Sequence, residues 1–530
     1  MTEVQSGWPG VDESQEKTMD RNPVINGRQL TKNWGLNICG QVMPLLTALV
    51  TMPFIVKGFG PERFGVLSIV WAVLGSVTLF DLGLSRSTTK FVADCLGRGD
   101  VQKFPRLFWT SLWSQVLIGV IGALPMVAAV PHLVDRYLKL SPSISAETKL
   151  SFLILAASFP MVLGGNSIRG VLEAVQRFDV VNYVRIPTYM CMFLVPAIAL
   201  PFGLRLPAIV SLLVVSRLVA GLIYLAVCLW MFPMVRRNYS LDYNLLGPLL
   251  SYGGWVSISN FLAPLLVYAD RFVIGSVLGM SYVSYYTAPQ EAISKGAVLP
   301  GSLVTALFPA LATLDVSGAR NRVRELCARA IKSLLLLMTP VLLMVFVFAH
   351  QLLQLWLGAD FAARSSGILQ IFCVGVLVNS IAFVPFSLLQ SLGRPDITGK
   401  THLLELPVYA LALAILLPRM GLTGAALAWS FRLFVDACLL FGAASWLGLL
   451  PLRAILDASV RKACLLLCGL GAALILPLVT SGRLSIRLPF AATGLLAFGF
   501  AVWKYVFDAQ ERNLFLSASL QIRAVVGRLR

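Results

Sequence analysis

Apolar residues in this chain come in long blocks separated by short polar breaks. A helix needs roughly 20 mostly apolar residues to cross the hydrocarbon core of a bilayer. Fourteen blocks approach or exceed that length: 36–57, 64–85, 107–130, 149–170, 180–201, 207–232, 248–269, 284–311, 333–357, 366–390, 402–418, 422–447, 462–480 and 486–507. The block 402–418 is short and contains proline. Little else remains besides two tails, so the pattern predicts an all-α polytopic membrane protein with about 14 transmembrane helices. Residues 1–33 carry Asp12, Glu13 and Glu16 and have no apolar signal-peptide core, so they read as a polar cytosolic tail. The stretch 508–530 mixes Leu514, Phe515, Leu520, Ile522 and Val526 with Arg512, Arg523, Arg528 and Arg530. That mixture fits an amphipathic helix on the inner leaflet, or equally a solvated helical tail.

A weak internal repeat suggests how the spans are grouped. Pro44-Leu45-Leu46 opens the first span, and Pro264-Leu265-Leu266 sits in the seventh. Each motif is followed about one span later by a Gly and a short turn, at Gly60 and Gly279. Pairing span one with span seven predicts two pseudo-symmetric six-helix lobes in the same orientation, 34–235 and 236–450. The remainder, 451–530, holds two C-terminal helices and the tail. Parallel repeats of this kind recur in secondary transporters, with the substrate near the bilayer midplane.

Composition agrees with the pattern. Hydrophobic residues are 57% and charged residues 13% of 530, and mean hydropathy is +0.80. A soluble chain carries about 25% charged residues. These values exclude disorder, a nucleic-acid-binding domain and an ordinary cytosolic enzyme. The net charge of +18 then reads as loop asymmetry. If the termini are cytosolic, 27 of the 43 Lys and Arg fall on their side, 11 on the other and five within spans. That bias supports an N-in, C-in topology. None of the nine Cys falls in an outside loop, so no disulfide framework is indicated.

The search for enzymatic chemistry is negative. None of the fifteen Asp forms an Asp-x-Asp pair, His132, His350 and His402 stand apart, and the longest outside loop, 131–148, is too short for a catalytic domain. Residues 393–401 superficially resemble a phosphate-binding P-loop but have one residue too many between the glycines, and no strand precedes them.

The informative residues are charges inside spans. Arg169, Arg185, Arg217, Lys295 and Arg432 sit in apolar context. Each costs about 2.5–3.5 kcal/mol at a helix centre on insertion scales, so each requires a partner or a wet cavity. Candidate partners one turn away are Glu173 for Arg169, Glu291 for Lys295 and Asp436 for Arg432. Asp270 adjoins Arg271, and Asp81 lies near Arg86. These charges have two readings: salt bridges that lock helices together, or a cationic cavity suited to an anionic, phosphorylated substrate.

The run Phe59-Gly60-Pro61-Glu62-Arg63-Phe64-Gly65-Val66-Leu67-Ser68, with Leu79-Phe80-Asp81-Leu82-Gly83-Leu84 after it, resembles the first two helices of Wzx-type oligosaccharide flippases. So do Tyr268-Ala269-Asp270-Arg271-Phe272-Val273-Ile274-Gly275, Tyr285-Tyr286-Thr287, Leu307-Phe308-Pro309, Gly393-Arg394-Pro395 and Gly421-Leu422-Thr423-Gly424-Ala425-Ala426. The resemblance covers about 34–450, and the order of the motifs is its specific part. It implies a two-lobed transporter of the bacterial inner membrane, related to multidrug MATE antiporters and lipid II flippases. The implied substrate is an undecaprenyl-diphosphate-linked oligosaccharide, moved from the cytosolic to the periplasmic leaflet for O-antigen, capsule or exopolysaccharide assembly. Implied partners are that substrate, membrane lipids and polysaccharide polymerase or assembly proteins, with no nucleic acid. No catalytic residue, metal or cofactor is expected, and H⁺ or Na⁺ coupling stays open. The candidate substrate-binding set is Arg169, Arg185, Lys295, Asp270, Arg271, Glu291, Arg432 and Asp436. Three rivals remain: a cation-coupled drug antiporter, which would want an acidic cleft; a lipid II flippase; and a membrane glycosyltransferase or polymerase, which would want a large outside loop bearing carboxylates.

Overall fold

The computed structural model describes residues 27–75, 84–98, 100, 102–248, 266–312, 320–392, 394–451, 458–480, 484–507 and 512. Asp81, Pro264, Gly393, the expected cytosolic tail before residue 27 and nearly all of 508–530 lie outside these residues, as does most of the seventh expected span. Within the described residues the chain is helical, with no strand. In chain order the helices are α1 (Gly27–Gly75), α2 (Leu84–Gly97), α3 (Lys103–His132), α4 (Pro142–Ala174), α5 (Phe178–Ala199) and α6 (Leu206–Met231). They continue as α7 (266–277), α8 (Met280–Ser294), α9 (Val298–Ala312), α10 (Arg320–Val347), α11 (Ala349–Leu357) and α12 (Ala359–Ser391). The last are α13 (Pro395–Trp446), α14 (Ala458–Thr480) and α15 (Leu484–Ala501). Helices dominate because hydrocarbon offers no partner for a free backbone N–H or C=O, and a helix satisfies its own.

Ten described helices are long and apolar enough to cross a membrane, against fourteen expected spans. The difference is largely one of connection. The 49 residues of α1 would measure about 74 Å if straight, more than twice the roughly 30 Å hydrocarbon thickness. The helix breaks at Gly60, where φ is 72° and ψ 169°, a backbone that side-chain-bearing residues rarely adopt. α13, of 52 residues, breaks likewise at Gly421, with φ 59° and ψ −138°. α13 therefore contains two of the expected spans joined almost without a loop, and α1 contains the first expected span and the described part of the second, 64–75. The block 284–311, expected as one helix, is divided into α8 and α9 by a 3-10 turn at Lys295–Ala297. Gly296 and Pro300 flank the change, and proline removes one backbone donor.

Large apolar side chains face outward. Leu355 is 88% exposed, Trp230 76% and Leu496 75%. A soluble protein avoids such patches; around a spanning bundle they meet lipid.

Where helices touch, small residues permit it. Gly65 of α1 lies against the backbone of α8: a Cβ added there would sit 2.1 Å from the Met280 carbonyl oxygen. Backbone cannot yield as a side chain can. We expect Gly65→Ala to destabilise the protein by about 1–3 kcal/mol, read as a lower thermal midpoint in detergent. Gly469→Ala in α14, where nothing lies within 4 Å, should instead be neutral or slightly stabilising.

One end of the bundle is tied shut. The Lys139 ammonium donates to the Val277 carbonyl at 2.5 Å, and the Lys139 N–H donates to the Gly275 carbonyl. Glu62 accepts the Ser141 N–H at 2.6 Å and its hydroxyl at 3.1 Å, and Arg63 makes a forked pair with Glu147. Trp356 of α11 donates to the Leu49 carbonyl of α1 at 2.8 Å. The Lys139 bonds join α1–α6 to the later helices at the end that carries Gly60 and Gly279, the Trp356 bond does so deeper along α1, and the Glu62 and Arg63 contacts brace α1 against the start of α4. At the opposite end, where α2, α3 and α10 begin or finish, bonds such as Trp109 to the Val235 carbonyl and Arg324 to the Gly448 carbonyl stay within one half of the chain.

Candidate functional site: two charged clusters inside the bundle

The eight residues singled out by sequence fall into two places. The first is a small, partly open cavity among α4, α5 and α6. Arg169, Arg185 and Arg217, one from each helix, line it together with Asn166, Thr188 and Tyr189. Its geometry follows from two glycines. A Cβ on Gly165 would stand 3.3 Å from the Cα of Gly221, so α4 and α6 cross nearly backbone to backbone and bring Arg169 and Arg217 to one wall. Among the described residues no carboxylate lines this cavity.

The three guanidinium groups are held lightly. Arg169 pairs through its Nε with Glu173 at 3.3 Å, one helical turn on, as its spacing predicts, but the contact is not aligned as a hydrogen bond. Arg185 donates to the Asn182 amide oxygen at 2.7 Å. Arg217 reaches the Met192 sulfur at 3.4 Å and lies over the Tyr189 ring at 5.3 Å. Thioether and ring are weak counterparts for a full charge. The structure puts Arg217 beside Arg169 and Arg185.

The second place is a buried polar chain running through α7, α8 and α13. Asp270 is fully buried. Its Oδ2 accepts from the Tyr286 hydroxyl at 2.6 Å, the Tyr409 hydroxyl at 3.1 Å and the Gln290 amide at 3.4 Å. Its Oδ1 takes the Arg271 N–H at 2.8 Å. The Arg271 side chain, 2% exposed, turns away from Asp270 and bonds Glu291 at 2.7 Å. It also donates to the Ser68 carbonyl of α1 at 3.2 Å and stacks on Tyr268. Lys295 completes the run, pairing with Glu291 at 3.4 Å while 41% exposed. Glu291 and Lys295 thus meet as their four-residue spacing predicts. Arg271 is locked into helix packing, while Lys295 borders an open apolar groove with Leu45 and Trp356.

Arg432 and Asp436 behave differently from the simple one-turn pair. The Arg432 ion pair runs to Glu405 at 3.4 Å, from the second half of α13 to the first. A carboxylate oxygen of Asp436 lies within 4.8 Å of one of Glu405. His402 meets the same carboxylate at 3.2 Å. Arg432 also lies over the Tyr409 ring, which links this cluster to Asp270. Sequence reading singled out neither Glu405 nor Tyr409; it met His402 only as an isolated histidine and Tyr286 only within the Tyr285-Tyr286-Thr287 motif. A signal existed for Glu405, a carboxylate inside the expected span 402–418; nothing local marks Tyr409.

A bundle of apolar helices with buried charges, short turns and one tied end defines a multi-pass transporter fold. Solved structures agree on the fold. An inward-facing multidrug resistance MATE family transporter of the MOP superfamily aligns with a TM-score of 0.66 at 17% identity, covering 80% of this chain and 99% of that one. The lipid II flippase MurJ, in an inward closed conformation, aligns at 0.67 and 12% identity, covering 88% and 98%. The sequence is more specific. The family described as polysaccharide biosynthesis protein matches residues 59–366. A Shigella flexneri protein named "Putative O-antigen transporter" is 30% identical over 419 residues, 78% of this chain and 96% of the relative. A Bacillus subtilis membrane protein, EpsK, is 22% identical, covering 77% and 81%. The chain belongs to the polysaccharide biosynthesis protein family. It is a membrane transporter and not an enzyme.

Proposed function

We propose that the chain flips an undecaprenyl-diphosphate-linked oligosaccharide from the cytosolic to the periplasmic leaflet of a bacterial inner membrane, for O-antigen or related polymer assembly. The observation that carries this reading is the α4–α6 cavity: three arginines from three helices and no carboxylate among the described lining residues. A diphosphate supplies the missing negative charge, and guanidinium forks match its oxygens. The name of the Shigella flexneri relative supports the polymer class.

The chemistry of the task fits. The polyprenyl tail stays in lipid, and only phosphates and sugars must cross a solvent that cannot hydrogen-bond them. The cavity supplies that bonding, with Asn166, Thr188 and Tyr189 available to hydroxyls. The lobes 34–235 and 236–450 rock about the α1–α8 contact, exposing the cavity first to one face and then to the other. With N-in, C-in topology the tied end is periplasmic, so this arrangement faces the cytosol. Lys295, exposed beside an apolar groove, meets the diphosphate as it enters between the lobes.

The test is complementation. Expressed in a strain lacking its own O-antigen flippase, the chain should restore surface polymer and clear lipid-linked oligosaccharide from the inner leaflet. Expression at normal level in the membrane without either effect, in strains making several different repeat units, would overturn the proposal.

A further inference from the structure

With His402 neutral, the cluster between the two halves of α13 is one positive charge short of neutrality. Glu405 is 1% exposed, Asp436 6% and Arg432 7%. Two carboxyls face one guanidinium in a place from which water is largely excluded. The ligand atoms of His402, Glu405 and Asp436 all lie within 4.8 Å of one another. The hydrogen bonds say where the missing charge belongs. Glu405 has both oxygens served: Oε1 meets His402 Nδ1 and Oε2 accepts from Arg432. A carboxylate oxygen of Asp436 lies within 4.8 Å of one of Glu405, and the Asp436 Oδ1 is buried with no hydrogen-bond partner among the described residues.

Two ionised carboxylates are acceptors only and cannot hydrogen-bond each other. A proton between them resolves the contact. Placed on Asp436, it also lowers the cost of the orphan Oδ1, because an unpaired carbonyl oxygen costs far less than an unpaired ionised one. A divalent metal fits the charge less well, since it would leave a surplus positive charge beside Arg432. Sodium favours oxygen ligands, and an imidazole nitrogen is a poor one for it. The other charged or titratable groups near the cluster are Tyr409, whose ring lies under Arg432, and through it Asp270. From α12 the nearest ring is Phe386, beside His402.

We propose that Glu405, Asp436 and His402 form a proton-binding site, with one H⁺ held by Asp436 against Glu405, and that exchange of this proton drives the transport cycle. The route is visible. His402 is the most exposed member at 23%, so a proton from water enters on the imidazole and passes through Nδ1 to the carboxyl pair. Loss of the proton leaves a net negative charge beside Tyr409. Tyr409 bonds Asp270, and the adjacent Arg271 holds the Ser68 carbonyl of α1. Deprotonation at α13 therefore weighs on the contact about which the lobes move. The second half of the proposal rests on the flippase reading; the first half does not.

The experiment measures proton uptake by the full-length protein in detergent on a pH drop from alkaline to neutral, with a pH-indicator dye. Asp436→Asn keeps the size and can still donate to Glu405, so it should fold and take up one proton fewer per chain than the wild type. Asp436→Glu should retain that proton. Equal uptake by wild type and D436N overturns the site. So does stoichiometric Zn²⁺ binding by calorimetry that His402→Ala abolishes, because the cluster is then a metal site. In the complemented strain D436N should lose most surface polymer; normal polymer with the proton missing overturns the coupling. Failure of the flippase reading would look different: no complementation by the wild type, with the proton titration intact.

Discussion

Replacing Arg271 by Gln will cost the protein about 3–5 kcal/mol, the loss expected when one partner of a buried ion pair is removed and the other stays charged. The guanidinium is 2% exposed and sits 2.7 Å from Glu291, with Asp270 as chain neighbour and the Ser68 carbonyl on its other side. Without it, two carboxylates face the single cation Lys295. The thermal midpoint of the purified protein should fall clearly. Arg271→Gln with Glu291→Gln should recover part of the loss, because the stranded charge is then removed as well. Arg394→Gln is the matching exposed control: Arg394 pairs with Asp396 at 2.9 Å but is 47% exposed, and such solvent-screened pairs contribute little. An R271Q midpoint no lower than that of R394Q would show that the buried pair is not needed for stability.

The largest functional effect is expected at Arg217. Its present neighbours are a methionine sulfur and a tyrosine ring, so little of the fold depends on its charge. A hydrogen bond to a charged group is worth about 1.5–3 kcal/mol, which corresponds to roughly 10–150-fold in affinity for an anionic substrate. Arg217→Gln should therefore abolish most surface polymer in a flippase-null strain at unchanged protein level. Arg217→Lys should retain part, since a point charge replaces the fork. Arg169→Gln and Arg185→Gln should lose polymer too, with Arg169 also loosening its contact with Glu173. Normal polymer from all three Gln variants would dismiss the arginine cradle.

The spans were legible because each needs only local information: a run of apolar residues long enough for a bilayer. The breaks at Gly60 and Gly421 fall between expected spans, so the turns were legible as well, although not their abruptness. Charges within spans pointed to both clusters. One-turn pairs such as Glu291–Lys295 could be read because a helix fixes which residues share a face. What could not be read is contact across helices. Arg432 takes Glu405, 27 residues away, in preference to Asp436 one turn along, because α13 folds back at Gly421 and sets its two halves side by side. Tyr286 and Tyr409 meet at Asp270 for the same kind of reason. In sequence they are ordinary aromatic residues of apolar helices, and only packing makes them ligands of one carboxylate.

The two glycine hairpins have a consequence for how the molecule is seen from outside. On the face that carries Gly60 and Gly421 the chain reverses almost at once, and the 136–141 segment is strapped to Val277. Among the described residues the corner at 202–205 stands clear, with Phe202 76% exposed and open space around Gly203. An antibody, a bacteriophage or an engineered fluorescent reporter approaching from that face finds a small foothold there.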